Sequence, residues 1–132
     1  MSPAAPQETP KVFIVDDDPG VGKALTRLFH SARLETVLYP SGEAFLAGIG
    51  PDDYGCILLD YHMHGADGRE VLIALRQRHI NLPVIILSAH DDPEIRQTVR
   101  RHGASAFFHK PVDDQALLDA IFWAIGLPSR HV

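Results

Sequence analysis

Four short apolar runs in this chain end in residues able to do chemistry. "VFIVDDD" delivers Asp16, Asp17 and Asp18, "CILLD" stops at Asp60, "VIILS" at Ser88, and "FFHKP" at Lys110 and Pro111. Carboxylates brought close together cannot all stay ionised without a compensating cation. A few carboxylates plus retained waters suit Mg²⁺, with Mn²⁺ as a substitute, better than a full calcium cage. A metal ion and the Lys110 ammonium would together attract a phosphoryl group. An aspartate can itself be the nucleophile toward that group, giving an aspartyl phosphate. The two cations would then stabilise the transferring charge, and the Ser88 hydroxyl could donate to a phosphoryl oxygen.

These residues are spread over about a hundred positions, so the elements must bring them together. Strand-like runs fall at 11–15, 35–40, 56–60, 83–88 and 105–110. Continuous apolar runs of this length suit strands covered on both faces, as in parallel sheets. The second run is more polar and is expected at an edge. Helical patterns alternate with them. Asp18-Pro19 opens the first as cap and first-turn proline, with Val21, Ala24, Leu25 and Leu28 expected on its inner face. Ser41 opens a short second helix, and the third spans about 69–79 with Val71, Leu72 and Leu75 inward. Asp92-Pro93 opens the fourth, which stops at Gly103. The fifth starts near Asp113 and buries Leu117, Leu118, Ile121 and Ile125.

Five strands alternating with five helices predict an α/β fold, a doubly wound five-stranded parallel sheet with strand order 2-1-3-4-5. In that order the ligand crevice lies at the carboxyl ends of the first and third strands, where Asp16, Asp17 and Asp60 end. Ser88 and Lys110 end the fourth and fifth strands on the same rim.

Composition narrows the function classes. The chain has 132 residues, 45% of them apolar, and a net charge of −5 with histidines neutral. This is the size of one domain. Its 12 Lys and Arg are scattered, so direct nucleic-acid contact is not expected. No apolar stretch approaches the ~20 residues of a membrane span, and "MSPAAPQETP" lacks a signal-peptide pattern. The single cysteine, Cys56, sits in an apolar run and reads as a buried side chain. Residues 1–10 read as a flexible tail, 11–126 as the folded unit, and 127–132 as a tail or the start of a linker.

The pieces "VFIVDDD", "LLDYHM", "DG" at 67–68, "VIILSA" and "FFHKP", in this order and at these places in the β/α pattern, resemble the receiver domains of bacterial two-component response regulators, the CheY-like fold. The resemblance covers roughly residues 11–126. It implies that Asp60 is the phosphoacceptor for a sensor histidine kinase or phosphotransfer protein. Asp17 and Asp60 then ligate Mg²⁺, Asp16 acts mainly through water, and the backbone carbonyl of His62 is a further ligand. Lys110 pairs with the phosphoryl group, Ser88 is the switch hydroxyl and Phe107 the switch aromatic. His62 and His90 take the two positions that tune dephosphorylation, and Lys110-Pro111 is a cis peptide. The implied protein is cytoplasmic and bacterial, a signalling module rather than a turnover enzyme. It leaves open a homodimer through the fourth helix, fifth strand and fifth helix, and an output domain beyond this chain. One departure stands out: His64 replaces the proline usual in this loop, which frees the backbone and restores an N–H.

Rival readings carry their own signals. A small Mg²⁺ phosphohydrolase would use Asp16 and Asp18 as nucleophile and acid, and a pseudo-receiver would leave Asp60 unmodified. A flavodoxin-like redox protein needs a phosphate loop after the first strand that this chain lacks. Asp18 alone reads as a helix cap, and "HMH" at 62–64 is weak as a transition-metal motif. Trp123 points away from the helix face carrying Leu117, Ile121 and Ile125.

Overall fold

The computed structural model describes residues 9–126. Of the expected tails, 1–10 and 127–132, residues 1–8 and 127–132 lie outside the described residues. Five strands and five helices alternate: β1 (Lys11–Val15), α1 (Pro19–Ser31), β2 (Glu35–Tyr39), α2 (Gly42–Gly48), β3 (Gly55–Asp60), α3 (Gly68–Gln77), β4 (Val84–Ser88), α4 (Pro93–Arg101), β5 (Ala106–His109) and α5 (Asp114–Ala124). All strand pairs are parallel, in the order β2-β1-β3-β4-β5. The polar β2 is at an edge, as its composition predicts.

Between their ends the central strands are continuously apolar, at 12–15, 56–59 and 84–87, because both faces are covered. Val12, Ile14, Cys56, Leu58, Ile85 and Leu87 face one layer, where Phe29 of α1 and Leu117 and Ile121 of α5 meet them. Phe13, Val15, Ile57, Leu59 and Ile86 face the other, against Phe45 of α2, Val71 and Leu75 of α3 and Val99 of α4. Alternation with period two thus sorts one run into two cores. Burying each such Leu, Ile or Val contributes about 1.5–3 kcal/mol.

Aspartate caps start four of the helices. Asp18, Asp67, Asp92 and Asp113 accept backbone N–H groups of the first turns, and Glu70 completes a capping box with Asp67. On α1 the inner face is rotated from the expected one. Ala24 is exposed, whereas Gly22 and Phe29 are buried. A side chain at position 22 would run into Leu38 of β2, so the close approach of helix to edge strand sets the rotation and turns Ala24 to solvent. On α5, Phe122 joins the core beside Leu117, Ile121 and Ile125, while Leu118 is half-buried.

Candidate functional site

Strand register builds the site. Val15 is level with Leu59, so the next residues, Asp16 and Asp60, emerge side by side. Ser88 closes β4 opposite His109, and the N–H of Lys110 donates to the Ser88 carbonyl at 2.7 Å. The chain turns there through a cis Lys110–Pro111 bond. The run "CILLD" therefore aims a charged group from the floor of the core onto the carboxyl rim of the sheet.

Asp16, Asp17 and Asp60 each place a carboxylate oxygen within 4.8 Å of the others. The Lys110 ammonium sits between two of them, 3.4 Å from Oδ1 of Asp60 and 3.7 Å from Oδ2 of Asp16. Asp16 and Asp60 are buried. Oδ1 of Asp16 accepts the Asp18 N–H at 2.9 Å, but its buried Oδ2 has no hydrogen-bond partner. Burial raises the pKa of Asp16, with repulsion from Asp60 adding to it. Burial likewise raises that of Asp60, opposed by the Lys110 charge. Asp17 behaves oppositely: hydrogen bonds from the His64 backbone and then its ring hold its carboxyl below the usual range.

The loop from β3 to α3 supplies those donors. Gly65 takes a positive φ of 79°, open to glycine without strain, and the next N–H, of Ala66, donates to Glu43 of α2 at 2.9 Å. So pinned, the loop brings His64 over Asp17. The His64 N–H donates to Oδ2 of Asp17 at 3.0 Å, and its ring Nδ1 lies 2.9 Å from the same oxygen. A crevice of about 350 Å³ opens here, lined by Asp17, Tyr61, His62, Met63, His64 and Asp67. A larger hollow, about 510 Å³, lies at the amino ends of β4 and β5, away from the acids.

Ser88 is wholly buried and its hydroxyl is fully engaged. Oγ donates to the His90 carbonyl at 2.9 Å, accepts the His90 N–H at 3.0 Å, and lies 3.1 Å from Nε2 of His62. With its one proton directed to the carbonyl, the hydroxyl is placed to accept from His62 when that imidazole carries a proton on Nε2. The rings of His62 and His90 meet edge to face, centroids 4.8 Å apart. Phe107 and Phe108 pack on opposite faces of the sheet and both are half-buried. Phe107 carries the Arg96 guanidinium 4.5 Å from its ring centroid, and Arg96 is paired to Asp91 at 2.7 Å. Asp18 serves as the α1 cap. Trp123 is 86% exposed.

The donor set fits a hard divalent cation. Three carboxylates converge, and the buried Oδ2 of Asp16, which accepts no hydrogen bond and has only the Lys110 ammonium 3.7 Å away, is the kind of atom a cation or its water satisfies. Two contacts were not legible in the sequence. His64, unlike a proline, carries a backbone N–H, but only the fold shows it aimed at Asp17. Nothing in the sequence flags Arg96, whose aromatic partner lies on another element.

Comparison with known proteins agrees with the geometry. The family model for the response regulator receiver domain matches residues 12–122. Nodulation protein W of Bradyrhizobium diazoefficiens is 36% identical over 110 residues, covering 83% of this chain and 48% of the relative. Transcriptional regulatory protein FixJ of Azorhizobium caulinodans is 35% identical over 121 residues, covering 92% of this chain and 57% of the relative. The chain thus spans about half the length of these curated relatives. The crystal structure of FixJ-N superposes with a TM-score of 0.82 at 31% identity, covering 96% of this chain and 98% of that one. No described helix is long and apolar enough to cross a membrane. With its sheet order, the acids ending β1 and β3 and a family match over nearly all the described residues, the chain belongs to the receiver domains of two-component response regulators, a family of signalling modules.

Proposed function

We propose that Asp60 is the phosphoacceptor of this receiver domain, taking a phosphoryl group from the phosphohistidine of a sensor kinase or phosphotransfer protein. The observation that carries the reading is the Lys110 ammonium held 3.4 Å from a buried Asp60 beside two further carboxylates. A carboxylate oxygen of Asp60 attacks phosphorus, the P–N bond breaks as the P–O bond forms, and the donor imidazole leaves with the electron pair. Burial opposes ionisation of Asp60, and Lys110 favours it. Asp17 and Asp60 would hold Mg²⁺, or Mn²⁺ in its place, with Asp16 through water and the His62 carbonyl as a further ligand. Bound there, the cation supplies charge neutralisation for the acids and the incoming phosphoryl oxygens.

The product carries new negative charge beside Lys110 and Ser88. Ser88 is the switch hydroxyl. To donate to a phosphoryl oxygen it must give up its bond to the His90 carbonyl, because it has one proton. That moves the β4–α4 loop, and Phe107 follows inward, changing the face of α4, β5 and α5. His62 and His90, which flank Ser88, set the lifetime of the adduct. The domain assists its own transfer and hydrolysis, while turnover is not its purpose.

Residues 11–126 form the receiver unit of a bacterial cytoplasmic protein, with residues 1–10 and 127–132 as a tail and a tail or linker. The greater length of Nodulation protein W and FixJ supports coupling of such a unit to an output region. The switching face is the natural surface for a homodimer or an output domain. The test is transfer of labelled phosphate from an autophosphorylated histidine kinase to the wild type but not to Asp60→Asn.

A further inference from the structure

We propose that His64 is a positioning residue for the cation site: it fixes the Asp17 carboxylate by one oxygen so that the other faces the cation. The inference rests on the metal-site reading above and adds to it a residue that is not itself a ligand.

Both His64 donors converge on a single atom. The backbone N–H lies 3.0 Å from Oδ2 of Asp17 and ring Nδ1 lies 2.9 Å from it. A carboxylate offers about four lone-pair sites on two oxygens. Two donors on Oδ2 therefore leave Oδ1 to face a cation, and neither His64 hydrogen bond need break when one binds. The other two acids are already held. Asp16 is fixed by the Asp18 N–H at 2.9 Å and its side chain is 2% exposed. Asp60 is paired with Lys110 and its side chain is 8% exposed. Asp17 has 25% of its side chain exposed, so it has the most rotamer freedom to lose on binding. His64 removes that freedom in advance, as partners behind ligating carboxylates and imidazoles commonly do.

The fold arranges the contact deliberately. Gly65 at φ 79° and the Ala66 to Glu43 hydrogen bond set the loop's course. A proline at 64 would remove the N–H donor and the ring together. The His64 ring is otherwise fully exposed and buries no apolar surface, so its contact with Asp17 is not an incidental product of packing.

Calorimetric Mg²⁺ titration of the whole chain, with no phosphoryl donor present, tests the assignment through three variants. His64→Ala keeps the backbone donor and loses the ring, so Mg²⁺ affinity should fall severalfold. His64→Pro loses both, and the fall should reach about tenfold or more. His64→Asn places an amide N–H where Nδ1 stands and should restore most of the loss, which a merely structural role for the loop does not predict. Amide NMR spectra, recorded without metal, identify any variant that misfolds, and His64→Ala alone then decides the question. Wild-type binding with equal or tighter binding by His64→Ala overturns this inference and leaves the metal-site reading intact. Absence of Mg²⁺ binding by the wild type at millimolar concentration overturns both.

Discussion

The ammonium of Lys110 stands 3.4 Å from Oδ1 of Asp60, and both side chains come from strand ends fifty residues apart in sequence. β3 and β5 are not neighbours. They are joined through β4, whose register with each fixes how far Asp60 and Lys110 project. The pair is a product of sheet order before it is a product of side-chain chemistry.

The Lys110 side chain is 27% exposed and its ammonium faces two buried carboxylates, which can take up protons when it is removed. Lys110→Ala should therefore cost about 1–2 kcal/mol in urea unfolding, between an exposed and a fully buried ion pair. Phosphoryl transfer to Asp60 should be largely lost in the same variant. A loss of several kcal/mol would make Lys110 a structural residue.

The raised pKa values of Asp16 and Asp60 give a pH dependence with a definite sign. A carboxyl whose folded pKa exceeds its unfolded one binds its proton more tightly in the fold. Its favourable contribution is present below the unfolded value and is lost as pH rises through the folded one. At neutral pH without metal, Asp60→Asn should therefore be more stable than the wild type, by on the order of 1 kcal/mol. The gap should close as pH falls toward about 4, the ordinary carboxyl range. Millimolar Mg²⁺ should also narrow it by stabilising the wild type. Thermal unfolding of both proteins across that pH range checks the sign, and a wild type more stable than Asp60→Asn at neutral pH without metal would contradict it.

Arg96 rests on Phe107 and so favours the ring position described above. A half-exposed contact of this kind is worth about 0.5–1 kcal/mol. If Phe107 turns inward when the adduct forms, Arg96→Ala removes that cost and should tighten beryllofluoride binding by about two- to fivefold. Unchanged affinity would mean that Phe107 keeps its contact with Arg96 throughout.

Phe45 is wholly buried at the centre of the α2 side of the core. Phe45→Ala should cost about 3–5 kcal/mol. Because α2 also carries Glu43, which pins the β3–α3 loop, the folded fraction should bind Mg²⁺ more weakly. Urea unfolding and Mg²⁺ titration of one preparation measure both effects.

Much of the fold was legible because β/α alternation leaves local marks. Continuous apolar runs gave every strand to within about a residue, and Asp-Pro at 18–19 and 92–93 marked two helix starts. The gathering of Asp16, Asp17, Asp60, Ser88 and Lys110 on one rim followed from topology alone. What escaped depends on contacts between elements. Ala24 faced solvent because Gly22 lets α1 press on Leu38, and helical period cannot show such a rotation. Phe122 was overlooked because α5 is apolar over more of its circumference than the expected stripe. The His64 and Arg96 contacts join residues on separate elements, and no spacing rule reports them.

The central claim is that Asp60 receives the phosphoryl group. Borohydride reduction tests it most directly, since it converts an aspartyl phosphate to homoserine and marks the residue permanently. The protein is incubated with acetyl phosphate and Mg²⁺, reduced, digested and sequenced by mass spectrometry. The account predicts homoserine at position 60, none at 16 or 17, and none anywhere in Asp60→Asn. Homoserine at position 16, or equal labelling of Asp60→Asn, would contradict it.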